Sequence, residues 1–278
     1  MKNGLVIGLS KSGTTIIASV IQNSIAQARL MIEPRTVAVI EKIGRLRVPW
    51  VVKLLYDHWL DRPSLLDGIV RGETGFRPDR IVAIVRDPRD RMVSALMYRA
   101  YECVLLGAGE AQVEAWIEVL RDKEAHPAKH SLFDLFGHFA RIFHVADSAD
   151  SFFTSFADYA AWIARYGGRM HVVRYEDFVA GDTAALSAYL GLRLAEGRDI
   201  DASLRRLGRT KGSGGWRTIL LPQDVAYLRE RYGAALEDHG YGDWAIGSGG
   251  LAPSQGSDYV REIAREAFAT RGQPSPGS

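Results

Sequence analysis

Short, continuously apolar runs alternate with longer segments of mixed polarity along the chain. Leu5 to Leu9 is the first run, and it ends at a Gly/Ser/Thr cluster, Ser10 to Thr15. The following segment, Ile16 to Leu30, has helical content, so the chain opens as strand, loop, helix. Val48 to Leu55, rich in β-branched residues and with Pro49 near its start, is a second strand. Ile81 to Val85 is a third, stopped by Arg86-Asp87-Pro88. Pro88 suits the first turn of a helix, with Asp87 as its N-cap. His171 to Tyr175 is a fourth strand, followed by a helix near Asp182 to Leu190. Strands this short and apolar throughout, separated by helices, predict a parallel sheet covered on both faces.

The span from about residue 100 to 165 has a helical pattern and is rich in Phe, Trp, Tyr and His, which predicts an inserted helical lobe. Phe133, Phe136, Phe139, Phe143, Phe152 and Phe153 fall largely at helical spacing and are expected in its core. From Ile246 to Ser257 the chain turns to Gly, Ser and Pro; a short helix follows at Asp258 to Thr270, and Gly272 to Ser278 is expected to be disordered. The expected organisation is therefore one domain over residues 1–245 and a tail over 246–278.

The composition, 47% hydrophobic and 24% charged over 278 residues, is that of a globular chain needing no disulfide or metal to fold. The formal charge of +2 lacks the basic excess of a general nucleic-acid binder, so an anionic ligand must meet a local cluster. The single cysteine, Cys103, excludes an internal disulfide and fits a reducing compartment. With neither a signal-like opening nor an apolar run of membrane-spanning length, the expectation is a cytoplasmic protein with no membrane partner. Abundant Ala, Arg and Gly suggest a GC-rich bacterial gene.

Chemistry concentrates in three places. Gly8-Leu9-Ser10-Lys11-Ser12-Gly13-Thr14-Thr15 follows a strand and opens a helix, where backbone N–H groups and the helix terminus receive phosphate. It departs from the nucleotide-triphosphate pattern because Gly13 is followed by Thr14, and the lysine stands back at Lys11. Arg86 ends the third strand and Ser94 lies about two helical turns further on, an arginine fork and a hydroxyl suited to a second phosphate. The neighbouring Arg89 and Arg91 are expected on a solvated, charge-laced helix face. Arg205 to Arg217 combines basic residues with glycines and Trp216, a third anion-binding segment.

In this order, these features resemble the PAPS-dependent sulfotransferases, which transfer sulfonate from 3′-phosphoadenosine 5′-phosphosulfate (PAPS). Lys11-Ser12-Gly13-Thr14-Thr15 is similar to that family's 5′-phosphosulfate loop, and Arg86 to Ser94 to its 3′-phosphate motif. Val173-Arg174-Tyr175-Glu176-Asp177-Phe178 resembles its Arg-Tyr-Glu-Asp strand, and Arg209 to Trp216 its C-terminal glycine-rich loop. The resemblance implies a three-layer α/β P-loop fold with an inserted helical lobe, PAPS as donor, PAP as product and no required metal. It gives Lys11 the charge developing on the bridging oxygen. Ser12, Gly13, Thr14 and Thr15 would cradle the 5′-phosphate; Arg86, Ser94 and Arg209 would hold the 3′-phosphate; Tyr175 would contact adenine; Ser10, Thr210, Lys211 and Gly212 complete the expected donor-binding residues. Departures are Ser10 for the family's proline, Ile16 for a tryptophan, Lys211 for a glycine and Gly215 for an aspartate.

A general base is expected for the acceptor, a small molecule or saccharide. The family's Lys-Thr-His pattern gives way to Lys53-Leu54-Leu55-Tyr56-Asp57-His58, with Leu55 at the histidine position. His58 is the first candidate, because its unperturbed pKa lies near neutrality; Asp57 and Glu33 are the others. Lys53 would line the donor's sulfonate. Two other readings stay open: a phosphotransferase using ATP and magnesium, with Asp87 on the metal, and a nucleotide-binding protein without catalysis. His126, His130, His138 and His144 lack the tight spacing of a zinc site.

Overall fold

In the computed structural model, which describes residues 1–146, 148–195 and 212–271, the first apolar run becomes the middle strand of a parallel sheet. β1 (Asn3–Gly8) pairs with β3 (Trp50–Leu55) on one side and β4 (Arg80–Val85) on the other. β2 (Arg29–Ile32) flanks β3, and β5 (His171–Arg174) flanks β4, giving the order β2-β3-β1-β4-β5, parallel throughout. The register sets Gly8 beside both Leu55 and Ile84, so the three central strands end at one level. Ligands of open parallel sheets collect beyond such C-terminal tips.

Successive strand residues face opposite layers. Val6, Val51, Val82 and Val173 pack with Ile17 and Ile21 of α1 (Thr14–Asn23), Phe178 of α8 (Tyr175–Ala180) and Leu186 of α9 (Ala184–Leu190). On the other side, the Tyr159 hydroxyl of α7 (Asp150–Tyr166) donates to the Ile7 carbonyl at 2.9 Å. Trp162 Nε1 donates to Asp67 of α3 (Pro63–Arg71), also at 2.9 Å. Tyr56 joins this cluster, with its ring centroid 5.0 Å from that of Tyr159. Burying each large apolar side chain stabilises the fold by roughly 1.5–3 kcal/mol. The three-layer α/β architecture is as expected.

The chain divides into two compact units, Met1–Arg86 with Ser155–Arg205, and Asp87–Thr154 with Arg206–Ser278. The first holds the sheet and α2 (Val37–Gly44). The second is helical: α4 (Pro88–Leu105), α5 (Glu110–Ala125), α6 (Leu132–Phe143), α10 (Pro222–Glu237) and α11 (Ser257–Arg271). Phe136, Phe139, Phe143 and Phe153 are buried there, as their spacing predicts, whereas Phe133 and Phe152 are half-buried. α11 buries Val260, Ile263 and Ala267 and packs on α4 and α5; Arg271 donates to the Val104 and Ala108 carbonyls at 2.9 and 3.0 Å. Gly272 to Ser278 lie outside the described residues. No described helix is long and apolar enough to cross a membrane.

The structure corrects two expectations. The first helix stops at Asn23, not Leu30: the Ser24 hydroxyl bonds back to the Val20 carbonyl at 2.6 Å, and Gln27 takes a left-handed φ of 60°. The chain thus turns and enters β2, a four-residue edge strand. Arg89 and Arg91, expected in solvent, are 1% and 2% exposed. Arg89 packs against the rings of Trp216 and Trp244, 4.1 and 4.4 Å from their centroids. Its donors reach the Asp87 carboxylate and the carbonyls of Asp243 and Tyr241. A guanidinium can be buried on such terms because most of its N–H groups find acceptors, a carboxylate among them, and aromatic rings pack against it.

Candidate active site

The loop between β1 and α1 is tightly turned. Lys11 has φ 65° and Gly13 φ 77°, both in the left-handed region. Ser12 N–H donates to the Leu9 carbonyl at 3.2 Å. The Ser12 hydroxyl is buried without a hydrogen-bond partner among the described residues, as is Arg86 Nε. Buried polar atoms of this kind call for a partner. Glycine is required at two points. A Cβ on Gly13 would stand 2.3 Å from the Tyr175 ring, and one on Gly8 would stand 2.6 Å from the Thr14 methyl.

Protein groups hold this loop from several sides. Arg86 Nη1 donates to the Lys11 carbonyl at 2.8 Å, and its guanidinium lies 4.3 Å over the Tyr175 ring. Tyr175, the first residue of α8, is thereby buried between Gly13 and Arg86. The Asp57 carboxylate accepts from Ser10 N–H, its oxygens 3.1 and 3.2 Å from the nitrogen. Of the residues singled out from sequence, Ser10 to Thr15, Asp57, Arg86 and Tyr175 therefore meet at one place.

Beside the loop lies a second group of charges. Lys53 is buried in β3 and ion-paired with Glu33, which follows β2 with a φ of 51°. Burial pushes the Lys53 ammonium below its ordinary pKa, with Glu33 opposing. His58 shares a 3-10 turn, Tyr56–Trp59, with Asp57, and its Nδ1 is 3.8 Å from Glu33 Oε2. Burial first, and the Arg35 guanidinium second, push the imidazole below its ordinary pKa. The lowered pKa favours the uncharged imidazole, the form able to accept a proton. Asp57, by contrast, already serves the loop backbone.

The remaining predicted residues belong to the helical unit or lie outside the description. Ser94 is buried in α4. Arg209, Thr210 and Lys211 lie outside the described residues; Gly212 is described and exposed. Downstream of it, Gly214 and Trp216 N–H groups donate to Asp90 at 2.6 and 3.1 Å, anchoring the end of the glycine-rich segment. The charge-run reading missed this role of Arg89 and Asp90. His126 and His130 both turn to Asp122, at 3.1 and 2.6 Å. Among the described residues, no group of three or more His, Cys, Asp or Glu is placed to hold a metal. A cleft of about 630 Å³ lined by Arg71, Arg77, Ile81 and Arg169 opens at the opposite ends of the strands, away from the residues singled out from sequence.

No protein-family model matches the chain, and no curated protein matches it in sequence. Among solved structures, it is similar to mouse sulfotransferase SULT7A1 complexed with PAP, with a TM-score of 0.51 and 16% identity over 87% of each chain. The chain has a sulfotransferase-like P-loop fold. In that fold, the loop after the central strand, with its left-handed Lys11 and Gly13, stands where the C-terminal strand tips converge.

Proposed function

We propose that the chain is a sulfotransferase that moves a sulfonate group from PAPS to an acceptor hydroxyl or amine on a small molecule or saccharide. The observation that carries this reading is the loop Ser10–Gly13, shaped by Arg86, Asp57 and Tyr175, with the buried Ser12 hydroxyl and Arg86 Nε still lacking partners. The likeness to a PAP-bound sulfotransferase supports it at the level of the fold.

In this reading the loop N–H groups and α1 terminus receive the 5′-phosphate. The acceptor atom attacks sulfur in line; the sulfur–oxygen bond to the 5′-phosphate breaks, and PAP leaves. Lys11 stabilises the charge growing on that bridging oxygen, where positioning and electrostatics dominate. The acceptor's proton goes to His58. Arg86 serves the 3′-phosphate side with Ser94 and Arg209, and Tyr175 serves as the floor of the loop. The proposed chemistry draws its positive charge from Lys11, Lys53 and Arg86 and calls for no metal. Asp87 is poorly suited to a magnesium ion, because Arg89 and the α4 N-terminus already take its carboxylate.

Calorimetric titration tests the reading. PAP is expected to bind without magnesium and in preference to ATP with magnesium; the reverse preference would establish a phosphotransferase instead. Release of PAP from PAPS across an acceptor panel is then expected from the wild type. PAP binding with no sulfonate release on any acceptor would leave a nucleotide-binding protein without catalysis.

A further inference from the structure

We propose that Asp57 is a positioning residue that ties the phosphate loop to the turn carrying His58, so that the donor site and the base move as one piece. The proposal rests on the sulfotransferase reading and assigns Asp57 a role distinct from that of a base.

The sheet register makes the tie. Gly8 and Leu55 are paired neighbours at the ends of β1 and β3. Ser10 and Asp57 each lie two residues further on, so the two chains leave the sheet side by side. Both Asp57 oxygens are within 3.2 Å of Ser10 N–H, a hydrogen bond between a charged acceptor and a backbone donor. A proline at this position would have no N–H to give. One residue later, Arg86 Nη1 holds the Lys11 carbonyl. The loop is thus fixed from the β3 side by Asp57 and from the β4 side by Arg86.

The next residue after Asp57 is His58, in the same 3-10 turn. A shift of the loop is therefore passed through one hydrogen bond to the element that sets the imidazole. Sulfonate transfer needs donor and base in register, because misplacement of about 1 Å costs on the order of a hundredfold in rate. A carboxylate already shared with the loop backbone is better placed to set this register than to collect a proton.

The test follows the His58 imidazole resonance in protein carrying ¹³C-histidine, assigned with His58→Gln, as PAP is added. In the wild type, PAP is expected to move the His58 signal. Asp57→Asn, whose amide oxygen still accepts from Ser10, is expected to keep that response. Asp57→Ala is expected to bind PAP about tenfold more weakly and, at saturation, to lose the His58 response. Ser10→Pro should behave like Asp57→Ala, and the double variant should be no worse than the worse single. An unchanged His58 response in Asp57→Ala overturns the tie, and so does its equal loss in Asp57→Asn. Should Ser10→Pro fail to fold, the Ala and Asn comparison decides alone. If the wild type does not bind PAP, the donor reading fails; melting temperatures of the four proteins then read the tie, with coupling supporting it and additivity overturning it.

Discussion

The Tyr175 ring occupies the space that a side chain on Gly13 would need, 2.3 Å from where a Cβ would stand. Gly13 also has a φ of 77°. Gly13→Ala therefore combines a left-handed backbone cost of about 1–2 kcal/mol with displacement of the ring. Since Tyr175 also supports Arg86, the change is expected to abolish PAP binding as well as lower the urea midpoint. Calorimetry and urea unfolding on one preparation check both.

Arg89 is a buried cation of the helical unit, paired with Asp87 and packed against two indoles. Arg89→Ala leaves the buried Asp87 carboxyl without its partner and is expected to cost about 3–5 kcal/mol. Arg89→Lys is expected to rescue little, because an ammonium has neither the planar faces nor the fork. Denaturant unfolding of the two variants measures the difference.

Asp90 accepts from the backbone of Gly214 and Trp216. Asp90→Ala orphans both donors, at a cost of about 2 kcal/mol or more. The loss should be local first. Hydrogen exchange at the Gly214 and Trp216 amides is expected to speed up before exchange in β1 does.

His58 gives a pH dependence with a definite sign. Its pKa is lowered by burial and by Arg35, so on acidification the unfolded chain takes the proton first, from the ordinary value of 6.5 downward. The neutral form in the fold contributes stability that is present above pH 6.5 and lost as pH falls through the lower folded value. Turnover should show an acid limb in the same window, below 6.5. His58→Gln is expected to remove the limb and most of the rate together.

Strands β1, β3, β4 and β5 were legible because each is an apolar run closed by a Gly, Pro or charged stop. β2 was not, because Arg29–Ile32 is a short, half-exposed edge strand continuous with apolar residues before it. The loop and Arg86 were legible from residue type and order. The environments of Arg89 and Asp90 were not: a run of alternating charge looks the same whether it faces water or two indoles more than 120 residues away. Asp57 was legible only as a titratable neighbour of His58; its bond to Ser10 depends on the register of two strands, which local pattern does not carry.

The supports of the Ser10–Gly13 loop come from distant parts of the chain, 47 residues away at Asp57 and 75 at Arg86, with Tyr175 later still. Contacts of such sequence separation close slowly, since loop entropy is lost before they form. The nascent chain therefore has the complete loop sequence long before it has the loop's shape. The loop's full shape arises only once Tyr175 has docked against Gly13 and Arg86, so a ligand of this loop would bind the refolding chain only after that contact has formed.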